Sequence, residues 1–505
     1  MSGMNLMRLL DGLALQKVPA GFDPVITGIA CDSRAVKKGD LFFALPGQKA
    51  DASEFVPQAV ERGAVAVVGQ RSVQVEPPVA CVEVGDARAA MAHAARRFYD
   101  FPDASLKMTG VTGTNGKTTT AFLVRHLISS VGGLSCGFIG TVGYDLGSRR
   151  VAALHTTPES NDLFFMLREM NGAECKACAM EVSSHALAQK RAGGIDWDAV
   201  VFTNLTQDHL DYHGTMENYF SSKRGLFESL GGQAKCPVAV INADDPWGAR
   251  LIAELGGGGT RFEIVSFGSS HGVDLRWEEL GWHGGGTKAL FSWRGERVSV
   301  DIPLFGSYNV ANCAAALGAA RAILHGVPWE KLAGALAGAP AVPGRLEVVP
   351  NSAGLLVFVD YAHTDDALKK VLETIGNMPH GRIITVMGCG GNRDAAKRPK
   401  MGEVAARLSD VCYLTSDNPR SEEPGVILGQ VLSGVRDRSA VRVVPDRREA
   451  IFQAVASAVE GDVVLIAGKG HEDYQEIAGK RMPFDDRRVA SEALAQKCRG
   501  TTCVA

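Results

Sequence analysis

Lys117 and Thr118 close a glycine-rich run, Gly113, Thr114, Asn115, Gly116, Lys117, Thr118, set between an apolar stretch (LKMTGV) and a helix-forming one (TTTAFLVRHLISS). Glycines at such a turn let backbone N–H groups approach phosphate oxygens. The lysine adds a point charge at the β and γ phosphates, and the Thr118 hydroxyl is a ligand for Mg²⁺. The strict pattern GxxxxGK[ST] requires glycine at position 111, where this chain has Val111, so the nucleotide reading rests on the strand–turn–helix context as well. Further on, Glu181 in MEVSSH and His209 in NLTQDHLDYHGT each follow an apolar run. A carboxylate and an imidazole beside a triphosphate suit a divalent-cation shell. Taken singly, His209 is as readily a structural histidine, as are His185 and His213, and Tyr212 has the same bland reading. Lys223 in YFSSKRGLF reads alone as an exposed or salt-bridged lysine.

A second cluster lies in the last third, in DYAHTDDAL, GCGGNRDAAKRP, SDNPRSEEP and AGKGHEDYQ, which carry Arg393, Asp417, Asn418, Arg420, His471 and Glu472. This mixture of cations and anions suits a zwitterion better than a phosphate. Two arginines clamp a carboxylate, and a carboxylate holds an ammonium. The bland alternative for Arg420 is a surface salt bridge to Glu422 or Glu423.

Groups so far apart in the chain need a scaffold that gathers loops. Residues 24–68 alternate short apolar runs (VITGIA, DLFFAL, AVAVV) with a helical stretch around EFVPQAVERG, which predicts a small α/β unit. The helix ARAAMAHAARRFYD is followed by a Pro- and Asp-containing break at 101–105. Strands are then predicted at LKMTGV, CAMEV, DAVVFTNL and PVAVIN, forming a parallel, helix-covered sheet. Glycine-rich pieces at 256–259 and 284–286 read as exposed loops before the helix NVANCAAALGAARAIL. After a break at 338–345, the series GLLVFVDYA, DALKKVLETIG, RIITVMG, VCYLTSD and DVVLIAG predicts a doubly wound sheet, whose ligands sit at the carboxyl ends of strands. The expected domains are 1–104, 105–340 and 341–505, all α/β.

Composition agrees. A chain of 505 residues, 46% hydrophobic and 22% charged, buries several cores. Its net charge of −3 gives no general attraction to nucleic acid or an anionic membrane, so anionic ligands require local clusters. The N-terminal run is broken by Arg8, Asp11 and Lys17, too charged for a signal or spanning helix, so the protein is expected to be unexported. The eleven cysteines are scattered, and Cys175 with Cys178 reads as packing rather than zinc.

The ordered set GTNGKTTT, EVSSHAL, DHLDYHG, YNVAN, PGRLE, DYAHT, GCGGNRD, DNPR and GKGHEDYQ resembles the Mur ligase family over nearly the whole chain. The resemblance implies an N-terminal domain for a UDP-sugar, a central P-loop ATPase, and a C-terminal Rossmann-like domain that brings an amino acid. It implies a cytoplasmic enzyme of peptidoglycan synthesis, acting as a monomer, that joins meso-2,6-diaminopimelate to UDP-N-acetylmuramoyl-L-alanyl-D-glutamate through an acyl phosphate. By similarity, ATP would be held by Gly113, Thr114, Asn115, Gly116, Lys117, Thr118 and Thr119 with Asn309, Arg345, Asp360 and His363. Lys117, Glu181, His209 and Lys223 form the implied catalytic set. Mg²⁺ falls to Thr118, Glu181, His209 and Lys223, the last as a carbamate. The uridine end falls to Cys31, Ser33, Gln48, Lys49 and Ala50, and the muramoyl-peptide to His155, Thr156, Thr157, Ser183, Gln189 and Arg191. Diaminopimelate falls to Arg393, Asp417, Asn418, Pro419, Arg420, Gly468 and Glu472. The family string DYAHTPDAL has proline where this chain has Asp365, a change expected to alter loop stiffness rather than chemistry. Two rivals are a folylpolyglutamate synthetase, which shares the ATPase design without the N-terminal domain, and a nucleotide-dependent switch, which needs no zwitterion site.

Overall fold

Strands rich in Val, Ile, Ala and Phe, buried on both faces, alternate with helices along the chain, which is the condition for parallel sheets covered on both sides. The computed structural model describes residues 3–18, 21–47, 52–71, 75–76, 78–257, 261–283 and 285–501. Gln48, Lys49 and Ala50 lie outside the described residues.

The chain divides into two compact units. The first holds Met1–Trp277, Phe291–Val298 and Ala311–Ala335, and the second holds Glu278–Leu290, Ser299–Val310 and Leu336–Ala505. Both of the first two expected segments fall largely in the first unit. The reason is a continuous apolar core that runs from Leu41, Val68 and Met91 to Phe164, Met180 and Phe202.

In the first unit, β1 (Gly28–Ala30), β2 (Asp40–Ala44), β3 (Ala66–Gly69) and β4 (Ala80–Val84) pair in parallel in chain order. Asp86 caps the helix α1 (Ala87–Phe98), its carboxylate accepting from Ala89 N at 2.9 Å. A second sheet begins with β5 (Lys107–Thr112), which feeds α2 (Lys117–Gly132), β6 (Cys136–Gly140) and α3 (Ser160–Gly172). It continues through β7 (Ala177–Glu181), the short α4 (Ser184–Ala188), β8 (Ala199–Phe202), α5 (Met216–Glu228), β9 (Val238–Asn242) and β10 (Glu263–Gly268). These strands lie in the order β6, β7, β5, β8, β9, β10, all parallel. The order places β5 between β7 and β8, so the loop after β5 has the ends of two sequence-distant strands beside it.

In the second unit, β11 (Leu356–Asp360), α6 (Asp365–Gly376), β12 (Ile383–Met387), α7 (Lys397–Leu408), β13 (Val411–Leu414), α8 (Arg447–Ser457), β14 (Val463–Ala467) and α9 (Asp486–Thr501) form the doubly wound sheet. The strands run parallel in the order β11, β14, β12, β13. Alternate residues feed two cores: Phe358 and Leu465 pack on one face, Val357, Val359, Val464 and Ile466 on the other. That period of two is the signature of a strand covered on both sides.

Two expectations are corrected. Gly286 begins a strand and is buried, and Gly256, though exposed, ends a helix, while Gly257 and Gly285 are exposed turn residues as expected and Gly258, Gly259 and Gly284 lie outside the described residues. Asp365 opens α6 behind the cap Thr364 rather than sitting in a loop. There proline loses no needed hydrogen bond and an acidic side chain complements the helix dipole, so the position accepts either residue. Cys175 and Cys178 are buried thiols, as the packing reading expects. Among the described residues, no helix is long and apolar enough to cross a membrane.

Candidate active site

Between β5 and α2 the chain turns through Gly113–Gly116, and Gly116 caps the helix with φ +87°. An α-helix leaves its first N–H groups without intrahelical acceptors, so this junction is an anion-binding arrangement. The segment after β8 braces it. Thr114 N donates to Asn204 O at 2.8 Å, Asn115 N to Asn204 Oδ1 at 3.0 Å, and Thr203 Oγ1 to Asn115 O at 2.7 Å. Asn204 lies in the NLTQDHLDYHGT run but offered no chemistry to mark it.

Lys117 Nζ donates to Gly113 O at 3.0 Å and Thr114 O at 2.8 Å, neutral acceptors that orient the ammonium without cancelling its charge. Lys223 Nζ reaches the same Gly113 carbonyl at 2.9 Å and lies 4.6 Å from the Tyr219 ring centre. Lys223 is 1% exposed, so it is not the surface lysine its sequence suggests. Burial, reinforced by the Lys117 ammonium, holds its pKa well below the usual lysine value.

Glu181 ends β7 opposite Val111, two residues before the loop begins. It is 1% exposed, its two oxygens accepting from Thr141 N at 2.8 Å and Thr141 Oγ1 at 3.1 Å. His209 takes the left-handed conformation at φ +52° and meets His185 edge-to-face with ring centres 4.8 Å apart, its Nε2 3.3 Å from Asp208. Partial desolvation lowers its pKa, and Lys117 and Lys223 add to that against Asp208. Burial and neighbouring histidines push His185 and His213 down to about 4, so both are neutral near pH 7. His213 meets Ser184 Oγ at 3.0 Å, the structural role its bland reading predicts.

Beside β7, Thr157 Oγ1 donates to Glu181 O at 2.8 Å and accepts from Ser183 N at 3.1 Å. Thr156 meets Thr141 at 3.1 Å. Arg191 donates to Thr157 O at 3.0 Å and to Gln189 Oε1 at 2.8 Å, and pairs with Glu159 at 2.9 Å. Five of the six muramoyl-peptide candidates are thus one connected cluster, and the exposed His155 adjoins it in sequence. Cys31 donates to Asn161 Oδ1 at 3.7 Å, next to that cluster. Burial, with Glu159 and Asp162 nearby, pushes its thiol up to about 12. Ser33 donates to Gln58 at 2.6 Å. Glu159 is a residue the sequence reading missed, and no spacing pattern distinguishes it.

In the second unit, Asp360 is buried and accepts from Leu346 N at 2.7 Å and Ala362 N at 2.8 Å. Burial raises its pKa against the opposing pull of Arg345, whose guanidinium lies 4.8 Å from the Tyr361 ring centre. Asn309 is buried, donating to Phe305 O at 2.8 Å, and His363 is exposed, its Nδ1 2.8 Å from Tyr361 O.

The loops after β12, β13 and β14 carry the zwitterion candidates, and the strand order makes them neighbours. Asn418 Nδ2 donates to Glu472 at 2.7 Å, while its Oδ1 accepts from Lys469 Nζ at 3.2 Å. Lys469 is fully buried and also pairs with Glu472 at 3.0 Å, a partner the sequence reading left out of GKGHE. Asp417 is 8% exposed, Pro419 is buried beside it, and Gly468 N donates to Asp360 O at 3.0 Å. Arg420 sits at φ +55°, held by backbone bonds to Glu476 O at 2.9 Å and from Ala478 N at 2.6 Å. A non-glycine residue in this conformation stores strain that the surroundings must enforce, and such residues concentrate at functional sites. Its Nη1 donates to Gly391 O at 2.7 Å, and Arg420 forms no salt bridge among the described residues. The surface pair with Glu422 or Glu423 is therefore not what this fold makes. Arg393 is exposed at the end of the β12 loop.

Family models match three successive stretches of the chain: "Mur ligase family, catalytic domain" at 25–99, "Mur ligase middle domain" at 111–320, and "Mur ligase, glutamate ligase domain" at 344–470. The chain belongs to the Mur ligase family, and its fold has that family's three domains. Within it, the chain is 44% identical to the UDP-N-acetylmuramoyl-L-alanyl-D-glutamate–2,6-diaminopimelate ligase of Solibacter usitatus, over 97% of this chain and 98% of the relative. The ligase of the same name from Gloeobacter violaceus is 43% identical, over 98% and 99%. A solved structure of a ligase with that name superposes with a TM-score of 0.71 at 33% identity, over 98% of this chain and 99% of the other.

Proposed function

We propose that this chain is the ligase that joins meso-2,6-diaminopimelate to UDP-N-acetylmuramoyl-L-alanyl-D-glutamate at the expense of ATP, a step of peptidoglycan synthesis, acting as a monomer in the cytoplasm. Relatives of this activity match nearly end to end, including the N-terminal stretch that a folylpolyglutamate synthetase lacks. The observation that carries the amino-acid assignment is Arg420: a strained arginine, free of ion pairs among the described residues, beside the buried Asn418 and Asp417 and the half-buried Glu472.

The reaction needs activation because a carboxylate is a poor electrophile. The D-Glu carboxylate attacks the γ-phosphorus, releasing ADP and leaving an acyl phosphate. The diaminopimelate amine then attacks the acyl carbon, phosphate departs, and the amine loses a proton. Lys117 and the loop Gly113–Thr119 stabilise charge on the transferring group. Thr118, Glu181, His209 and Lys223 as its carbamate would hold Mg²⁺, which supplies neutralisation of phosphate charge when bound. The donor set fits: Thr118 and Glu181 offer buried oxygens. The carbamate of Lys223 would add a further anionic oxygen to that set, the remaining positions falling to phosphate oxygens and water. A neutral Lys223 amine is the species that adds carbon dioxide, and the resulting anion has Lys117 for a neighbour.

Cys31 and Ser33, with Gln48, Lys49 and Ala50, are assigned to the uridine end, and the cluster around Thr157 and Arg191 to the muramoyl-peptide. Asn309, Arg345, Asp360 and His363 are assigned to the nucleotide, and Arg393, Asp417, Asn418, Pro419, Arg420, Gly468 and Glu472 to diaminopimelate. The domain limits are put at 104/105 and 340/341, in the gaps between the family matches.

Lysine lacks the distal carboxylate of diaminopimelate and would leave the arginines unpaired. Sites built on polar pairing reject such analogues by about 10⁴ to 10⁵. Specificity constants for both amino acids, measured on wild type and Arg420→Ala, test the assignment. The substitution should raise the diaminopimelate KM sharply and shrink its advantage over lysine, and an unaltered ratio would move the recognition site elsewhere.

A further inference from the structure

Arg398, on α7, is 1% exposed, and a buried cation requires close partners. Its Nη1 and Nη2 grip the Glu422 carboxylate at 2.8 and 2.9 Å as a two-pronged fork, with Gly390 O at 3.1 Å and Gln430 Oε1 at 2.6 Å. Glu422 also accepts from Asn392 N. Arg420 donates to Gly391 O, between those two anchors. Glu422 and Arg420, two residues apart, therefore engage the same three-residue turn after β12. Released from Arg398, Glu422 would be the carboxylate best placed to compete for the Arg420 guanidinium on that turn, and a substrate carboxylate would have to displace it.

We propose that Arg398 is a positioning residue of the diaminopimelate subsite: it sequesters Glu422 and so keeps the Arg420 guanidinium open to the substrate's distal carboxylate. The inference rests on the assignment of Arg420 above. The Arg398 hydrogen bonds, with that from Asn392 N, hold the Glu422 pKa down at about 2, so the Arg398–Glu422 pair is charged on both sides. Arg398 does not touch substrate in this scheme, and its effect passes through Glu422.

The test is the diaminopimelate KM of the full-length enzyme, with ATP and UDP-peptide saturating. Arg398→Met and Arg398→Gln should each raise it at least tenfold while the KM for ATP stays within twofold. Adding Glu422→Gln removes the competing charge and should bring both variants back to within threefold of wild type. Glu422→Gln alone should leave that KM within threefold. An Arg398 that merely shaped the loop would not be rescued, so double variants as impaired as the singles overturn the proposal, as do unimpaired singles. Should neither Arg398 variant fold, Glu422→Asp keeps the charge and shortens its reach to Arg398. It should raise the KM severalfold, and an Asp variant equal to the Gln variant overturns the proposal. Arg420→Ala separates the two layers. If it leaves the diaminopimelate KM unchanged, the Arg420 assignment fails; if it raises that KM while the Arg398 variants do not, only the present inference fails.

Discussion

Two lysine nitrogens share the carbonyl of Gly113, at 3.0 Å for Lys117 and 2.9 Å for Lys223. Like charges this close disfavour one another, and burial of Lys223 with the Lys117 charge beside it holds the Lys223 pKa well below the usual lysine value. Lys223→Ala removes the proposed carbamate, and turnover should fall by about 10² to 10³, the usual cost of losing one electrostatic stabiliser. Short carboxylates such as formate or acetate should restore part of it, measured as tripeptide formed per minute over a concentration series. Unchanged activity after the substitution would remove Lys223 from the mechanism. Loss without rescue would limit the residue to packing against Tyr219.

At the scale of elements, the loop between β5 and α2 works because glycine stands where the chain turns left-handed. At Gly116 a Cβ would lie 2.3 Å from Asn312 Oδ1, and φ is +87°. Gly116→Ala should cost about 1–3 kcal/mol in backbone strain and weaken ATP binding more than tenfold by displacing the amides at the helix start. Gly133, at the other end of the same helix, has φ +64° with open space around it. Gly133→Ala should therefore lower stability while leaving ATP affinity within twofold. Calorimetric titration with ATP and urea denaturation on both variants check the pair, and equal affinities would mean the loop tolerates a side chain.

Within the second unit, the ends of β13 and β14 are tied from behind by an ion pair with no solvent access. Arg447 grips Asp486 at 2.8 and 2.7 Å and also donates to Ala467 O at 3.0 Å and Ser416 O at 3.4 Å. Those carbonyls immediately precede Gly468 and Asp417, so the pair helps set the spacing between two of the diaminopimelate loops. Asp486→Asn leaves the Arg447 charge buried and uncompensated, which should destabilise the protein by about 3–5 kcal/mol. Denaturant titration measures it, and a loss below about 1 kcal/mol would mean water reaches the arginine.

The α/β alternation, the phosphate loop and the strand-end motifs were legible in the sequence because each is written locally: apolar runs with a period of two, glycine before Lys117, arginine after Pro419. Partnership was not legible. Charge spacing alone allowed Arg420 to pair with Glu422, yet the fold delivers Arg398 from a helix that begins after the preceding strand and gives Glu422 a better partner. Lys223 read as a surface lysine because exposure depends on what α5 packs against. Arg447 and Asp486, 39 residues apart, carry no mark of their pairing. Local composition sets which segments become strands, turns and helices. Which charges are stripped of water and forced onto one another depends on strand order and helix packing, and it was there that the character of Lys223, Glu422 and Arg420 was decided.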